Sequence, residues 1–182
     1  MLFRSEVVSK SEPGAGGVIF APWLHGNRCP FEDPKSRGMF FNISLDTGKT
    51  EMIRAVVEGV CYHLRWMLEC QDKKIKTAET IRFCGGGALS PVTSQILADI
   101  LGRVVEVVDG PQNVGSVGAA LTAAVGAGAI SSIEEVSELI KPAAVYYPGS
   151  SGEEGRAAYD RNYRVFTKLH SSSKRLFAEL NG

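Results

Sequence analysis

Apolar positions recur at helical spacing between Thr50 and Cys70, where Met52, Ile53, Val56, Val57, Val60, Cys61, Leu64, Met67 and Leu68 predict an amphipathic helix. Thr47 stands where its hydroxyl can cap that helix, and Glu51 lies in the first turn, where the helix dipole favours negative charge. Tyr62 and Trp66 are read as packing residues on it. Shorter apolar runs predict strands at "VIFAPWL", at "GMFFNIS" (Gly38 to Ser44), at "TIRFC" and at "RVVEVV". A second helix is predicted from Pro91 to Leu101, with Ser90 as its cap and Pro91 in its first turn. The run "NVGSVGAALTAAVGAGA" reads as a third, whose glycines and alanines permit close approach to a sheet. "SIEEVSELI" is a short helix, and Tyr159, Tyr163 and Phe166 mark one face of a last one. Residues 1–17 are polar and end in the turn-rich "EPGAGG", while "HGNRCPFEDPKSRG" and "KPAAVYYPGSSGEEG" read as loops. Alternation of strands and helices argues for an α/β domain with parallel neighbours.

Composition narrows the function classes. With 44% hydrophobic residues in 182, the chain can bury a real core as one globular domain. Twenty basic and twenty acidic residues cancel, so no summed field draws it to nucleic acid or an anionic membrane. Cys29, Cys61, Cys70 and Cys84 form no CxxC pair and no cluster with the three histidines, so no zinc site is expected. Two of the cysteines lie in apolar stretches, as buried thiols of a reducing cytosol do. No apolar run approaches membrane-spanning length, and the first residues lack a signal peptide's apolar core. A cytoplasmic location is expected.

The stretch "IRFCGGGALSPVTSQILADILG" raises the functional question. A strand ending in Gly85, Gly86 and Gly87 before a helix offers free backbone N–H groups to a phosphate, a ribose or a flat base; a tight turn alone is the other reading. Two nucleotide motifs fail on spacing. "DTGKT" resembles the end of a phosphate loop, yet Ile43 stands where GxxxxGK[ST] needs glycine, which leaves Lys49 a solvated first-turn residue. "GGGALS" has Ser90 at the sixth position of GxGxxG, so a dinucleotide-dependent oxidoreductase is the weakest reading. The sequon at Asn42 falls in a predicted strand and is read as idle, and His25 is read as a loop residue rather than a base.

Taken in order along the chain, these segments resemble the FGGY carbohydrate kinases, nearest to the xylulokinase branch. "GGGALSPVTSQILADILGRVVEV" looks like the family's adenosine-binding segment, and "GMFFNISLDTGKTEMIRAVVE" keeps Gly38, Phe40, Ile43, Glu51, Met52, Ala55, Val56, Val57 and Glu58 at the spacing of its second signature, with Asn42 where glycine is usual. "FAPWLHGNRCPFEDPKSRG" resembles the loop LPYLxGERxPxWDPxxRG with Asn27 in place of the glutamate. "GSVGAALTAAVGAG" is similar to the family's GAA helix, and "YYPGSSGEEGRAAYDRNYRVFTKL" to its terminal helix.

The resemblance implies an actin-like ATPase (ribonuclease H-like) C-terminal domain, incomplete because its first two strands are absent. "GMFFNIS" is then the third strand, "TIRFC" the fourth and "RVVEVV" the fifth, in a sheet that should be split or open-edged. An opening segment and loop over 1–37, an α/β core over 38–130 and a helical tail over 131–182 are expected. The family transfers the γ-phosphoryl group of ATP, with Mg, to a sugar or polyol hydroxyl between two actin-like domains. By resemblance, Gly85, Gly86, Gly87, Ala88 and Pro91 are the cofactor-binding residues, with Gly87 closest to adenosine and Pro91 where some relatives place a polar contact. The family's catalytic aspartate and phosphate loops fall outside these residues, so no catalytic or metal-binding residue is expected and the chain alone should be inactive. Expected partners are an adenine nucleotide, a sugar only with the N-terminal domain, and a second copy or a separate N-terminal half. A free-standing nucleotide-binding or interaction module is the competing reading.

Overall fold

The computed structural model describes residues 2–182, with side chains for 6–136 and 140–182. Its centre is the long helix. After α1 (Leu2–Ser9), β1 (Ile19–Ala21) and β2 (Met39–Phe41), α2 runs over Lys49–Asp72. It buries Ala55, Cys61 and Tyr62 together with the charged Arg54 and Glu58. Gly48, not Thr47, is its cap: the Gly48 N–H donates to Glu51 Oε2 at 3.0 Å, while the Thr47 hydroxyl accepts from the Ser44 N–H at 3.0 Å in the preceding turn.

β1 and β2 form an antiparallel pair in which Phe20 opposes Phe40. β1 lies so close under α2 that a Cβ at Gly59 would overlap the Phe20 carbonyl oxygen, which accounts for glycine there. At the end of β2, Asn42 has φ 66° and its Nδ2 donates to the Gly17 carbonyl at 3.1 Å. The left-handed region suits glycine first and asparagine next, so the departure from the expected glycine keeps the conformation.

A second sheet has the order β3 (Thr80–Phe83), β4 (Val104–Val108), β5 (Pro142–Tyr146). β3 and β4 run parallel, joined through α3 (Pro91–Leu101). β5 runs antiparallel to β4 with an irregularity at Val107/Val108, a strand where the sequence pattern suggested loop. The sheets are separate, as the open-sheet expectation required. Among the described residues β3 pairs on one side only.

α4 (Val114–Gly126), α5 (Ile133–Leu139) and α6 (Gly152–Asn181) complete the chain. α6 buries Tyr159, Tyr163, Phe166, Leu169 and Phe177 along one stripe. Phe166 meets Trp23 and Tyr62, each at 5.8 Å between ring centroids, so α6, β1 and α2 share one core with Leu97 and Ile100 of α3. Each such large apolar side chain contributes about 1.5–3 kcal/mol on burial.

A buried polar node locks the same elements. Arg54 donates through Nε to Glu58 Oε1 (2.5 Å), through Nη1 to the carbonyl of Ser11 (2.6 Å) and through Nη2 to the Tyr159 hydroxyl (2.7 Å). Glu58 also accepts from the Gly14 N–H (2.9 Å) and the Tyr62 hydroxyl (3.1 Å), and Asn162 holds the Gly14 carbonyl (2.8 Å). Burial pushes the Glu58 carboxyl upward, and Arg54 and the donors pull against it.

Candidate functional site

The glycine turn begins where β3 stops. Gly85 adopts φ 85° and ψ −174°, a region essentially closed to residues with a Cβ, and its N–H donates to the Pro111 carbonyl at 2.8 Å. A 3-10 turn over Gly86–Leu89 follows, closed by Ala88 N–H to the Gly85 carbonyl (3.2 Å) and Ser90 N–H to the Gly87 carbonyl (3.2 Å). The N–H groups of Gly86 and Gly87 come before the first hydrogen bond of that turn, as leading donors of any helical turn do. Ser90 then caps α3, its Oγ accepting from the Thr93 N–H at 3.2 Å, with Pro91 at the first helical position. α3 ends at Gly102, whose φ of 67° makes the left-handed cap.

The structure brings the five expected contact residues onto one short turn but gives them different surroundings. Gly86 and Gly87 are exposed and line a cavity of ≈ 260 Å³ against Val56, Val57, Val60 and Leu64 of α2. Gly85 is half-buried, Ala88 is buried beneath the turn, and Pro91 is exposed outside that cavity. Gly87 has a neighbour of its own: a Cβ there would lie 2.9 Å from Cζ of Phe83. The sequence pattern marked Phe83 only as a strand residue, because a ring reaching four positions along a turn leaves no periodic signal.

A second cavity of ≈ 310 Å³ lies between the ends of β3 and β4 and α4, lined by Arg82, Cys84, Asp109, Val117, Gly118 and Lys141. Phe83 lines this cavity as well as the first. The first is walled by apolar side chains, and its one thiol, Cys61, is fully buried with its ionisation pushed far up by that burial, hence inert. The second carries charge of both signs. Chemically, the turn offers backbone donors and a flat, side-chain-free surface, which fit a ribose or base. Among the described residues no group of three or more His, Cys, Asp or Glu side chains is placed to hold a metal ion. No helix among them is long and apolar enough to cross a membrane. Lys49 and His25 are exposed, away from both cavities.

Comparison with known proteins adds a further finding. The model of the FGGY family of carbohydrate kinases, C-terminal domain, matches residues 5–127. The chain is 33% identical over 178 residues to a xylulose kinase of Staphylococcus epidermidis, covering 96% of this chain and 34% of that protein. A gluconokinase of Bacillus subtilis is 33% identical over 140 residues, or 75% of this chain and 26% of that protein. The fold superposes on the crystal structure of ligand-bound xylulose kinase from Lactobacillus acidophilus with a TM-score of 0.84 at 24% identity, over 97% of this chain and 35% of that one. The chain thus spans about a third of the length of the relatives it matches.

Proposed function

We propose, from the premise that this chain belongs to the FGGY family of carbohydrate kinases and carries its C-terminal domain, that the Gly85–Ala88 turn and Pro91 form one wall of an adenosine subsite for ATP. One observation carries the reading. The turn presents the leading N–H groups of Gly86 and Gly87, without side chains, beyond the carboxyl end of a parallel strand, where open α/β sheets take their ligands. Gly85 supplies the backbone reversal that aims them, and the buried Ala88 seats the turn on the domain.

Mg-ATP, when bound, supplies the γ-phosphoryl group and the cation that neutralises its charge. This chain's own residues orient the nucleotide and exclude water on one side. Transfer to a sugar hydroxyl depends on positioning and on charge stabilisation around the transferred group, and the resemblance assigns those parts to segments outside these residues. Xylulose is the acceptor we propose; the Staphylococcus epidermidis xylulose kinase, 33% identical over 178 residues, supports it over gluconate, since a gluconokinase of Bacillus licheniformis matched over a similar length, 180 residues, is 29% identical. The free side of β3 is where a further strand pairs in this reading, from a second copy or from the N-terminal part carried by longer relatives.

A coupled ADP-release assay tests it on three samples: this chain, the N-terminal part of the Staphylococcus epidermidis relative, and their mixture, each with Mg-ATP and xylulose. Xylulose-dependent turnover is expected only in the mixture. Turnover by this chain alone would overturn the reading, and nucleotide binding with no turnover in the mixture would favour a free-standing nucleotide-binding module.

A further inference from the structure

Two glycines of the turn, Gly85 and Gly87, are glycine for different reasons. Gly85 needs its backbone conformation and has open space where a Cβ would stand. Gly87 is the reverse case. Its φ is not among the positive values, so the backbone there accepts any L-residue. The three atoms nearest a Cβ at this position all belong to the Phe83 ring, at 2.9, 3.6 and 3.9 Å. The backbone that carries that ring is fixed by the sheet. Phe83 is the last residue of β3, in register with Val107 of β4, and packs half-buried against the core that includes Leu97 and Val105.

We infer that Phe83 holds position 87 to glycine and is thereby the positioning residue for the Gly86–Gly87 backbone that faces the nucleotide. The inference rests on the adenosine reading above and departs from it in one respect: the demand for glycine comes from beneath the turn rather than from the ligand. Adding a methyl at 87 must lift the turn off the ring or push the ring toward one of the two cavities that Phe83 lines. Lifting the turn displaces the leading N–H groups directly, and moving the ring takes away the surface on which the turn rests. Removing the ring removes the conflict.

The test is a double-mutant cycle on the purified chain, with Gly87→Ala, Phe83→Ala and the double variant, read by thermal unfolding and by calorimetric titration with ADP. Gly87→Ala alone is expected to lower the unfolding midpoint by about 3 °C, the scale of a small overpacking in a domain of this size. It should weaken ADP binding about tenfold. In the Phe83→Ala background the same change should cost neither. Equal loss of ADP affinity in both backgrounds would show that the ligand itself demands glycine and would overturn the inference, as would no effect in either. Phe83→Leu, which keeps apolar bulk but lacks the ring edge that reaches Gly87, replaces Phe83→Ala if the latter does not fold. A parent chain that binds no ADP would sink the adenosine reading and the positioning role with it, while the thermal cycle still decides whether Phe83 holds position 87.

Discussion

The seam between α2, β1 and α6 and the side of the molecule formed by the glycine turn and α4 are built on opposite principles. In the seam even the charges are buried. Arg54 and Glu58 are 5% and 0% exposed, and their hydrogen bonds reach the segment after α1, the loop at Gly14 and α6. On the other side apolar groups are left uncovered. α4 buries none of its residues, Val117 is 46% exposed, and nothing lies within 4 Å of a Cβ built at Gly115 or Gly118. A satisfied buried network admits one arrangement, because shifting any member strands a charge. An uncovered apolar helix beside a cavity gains free energy only when something else covers it. The seam is finished within this chain. The turn side, among the described residues, is left uncovered.

That contrast can be broken by substitution. The largest effect is expected for Glu58→Ala, which leaves the Arg54 guanidinium buried without its counter-ion; breaking one partner of a buried pair costs about 3–5 kcal/mol, read as a lower urea midpoint. A loss near zero would mean that the seam tolerates water and is not the closed network described. Next in size is Gly59→Ala, where the added methyl meets the Phe20 carbonyl and should destabilise by about 1–3 kcal/mol. The same substitution on the open side, Gly118→Ala, should have the opposite sign. Gly118 lies inside α4 with space around it, and alanine in an exposed helix interior is worth about 0.5–1 kcal/mol over glycine. Paired denaturation curves check both, and two shifts of one sign would erase the distinction between the regions.

Much of this fold is legible in the chain because its signals are local. The spacing of Val56, Val57, Val60 and Leu64 marks α2, and Ser90 followed by Pro91 fixes where α3 starts. α1 escaped notice because its eight residues are too few to show a helical period, and its helical form comes with packing of Val8 against the core. β5 escaped for the related reason that "PAAVY" has no alternating pattern; it is a strand only because β4 offers it an edge. Thr47 looks like a cap, yet Gly48 and Glu51 complete the N-terminus and leave Thr47 to brace the preceding turn. Within the candidate site, Gly85 to Ala88 and Pro91 were visible as a glycine-rich start to a helix. The part played by Phe83 was not.

The sequence by itself determined the helices with strong periodicity, the turn chemistry at Gly85–Pro91 and the order of segments by which the family is recognised, since each depends on neighbours within a few residues. Only the tertiary structure decided which charges meet in the seam, that Asn42 takes up the left-handed conformation, and which residue stands beneath Gly87. These are contacts whose partners are set by how α2, β3 and α6 pack, and burial, not spacing, gives them their energy.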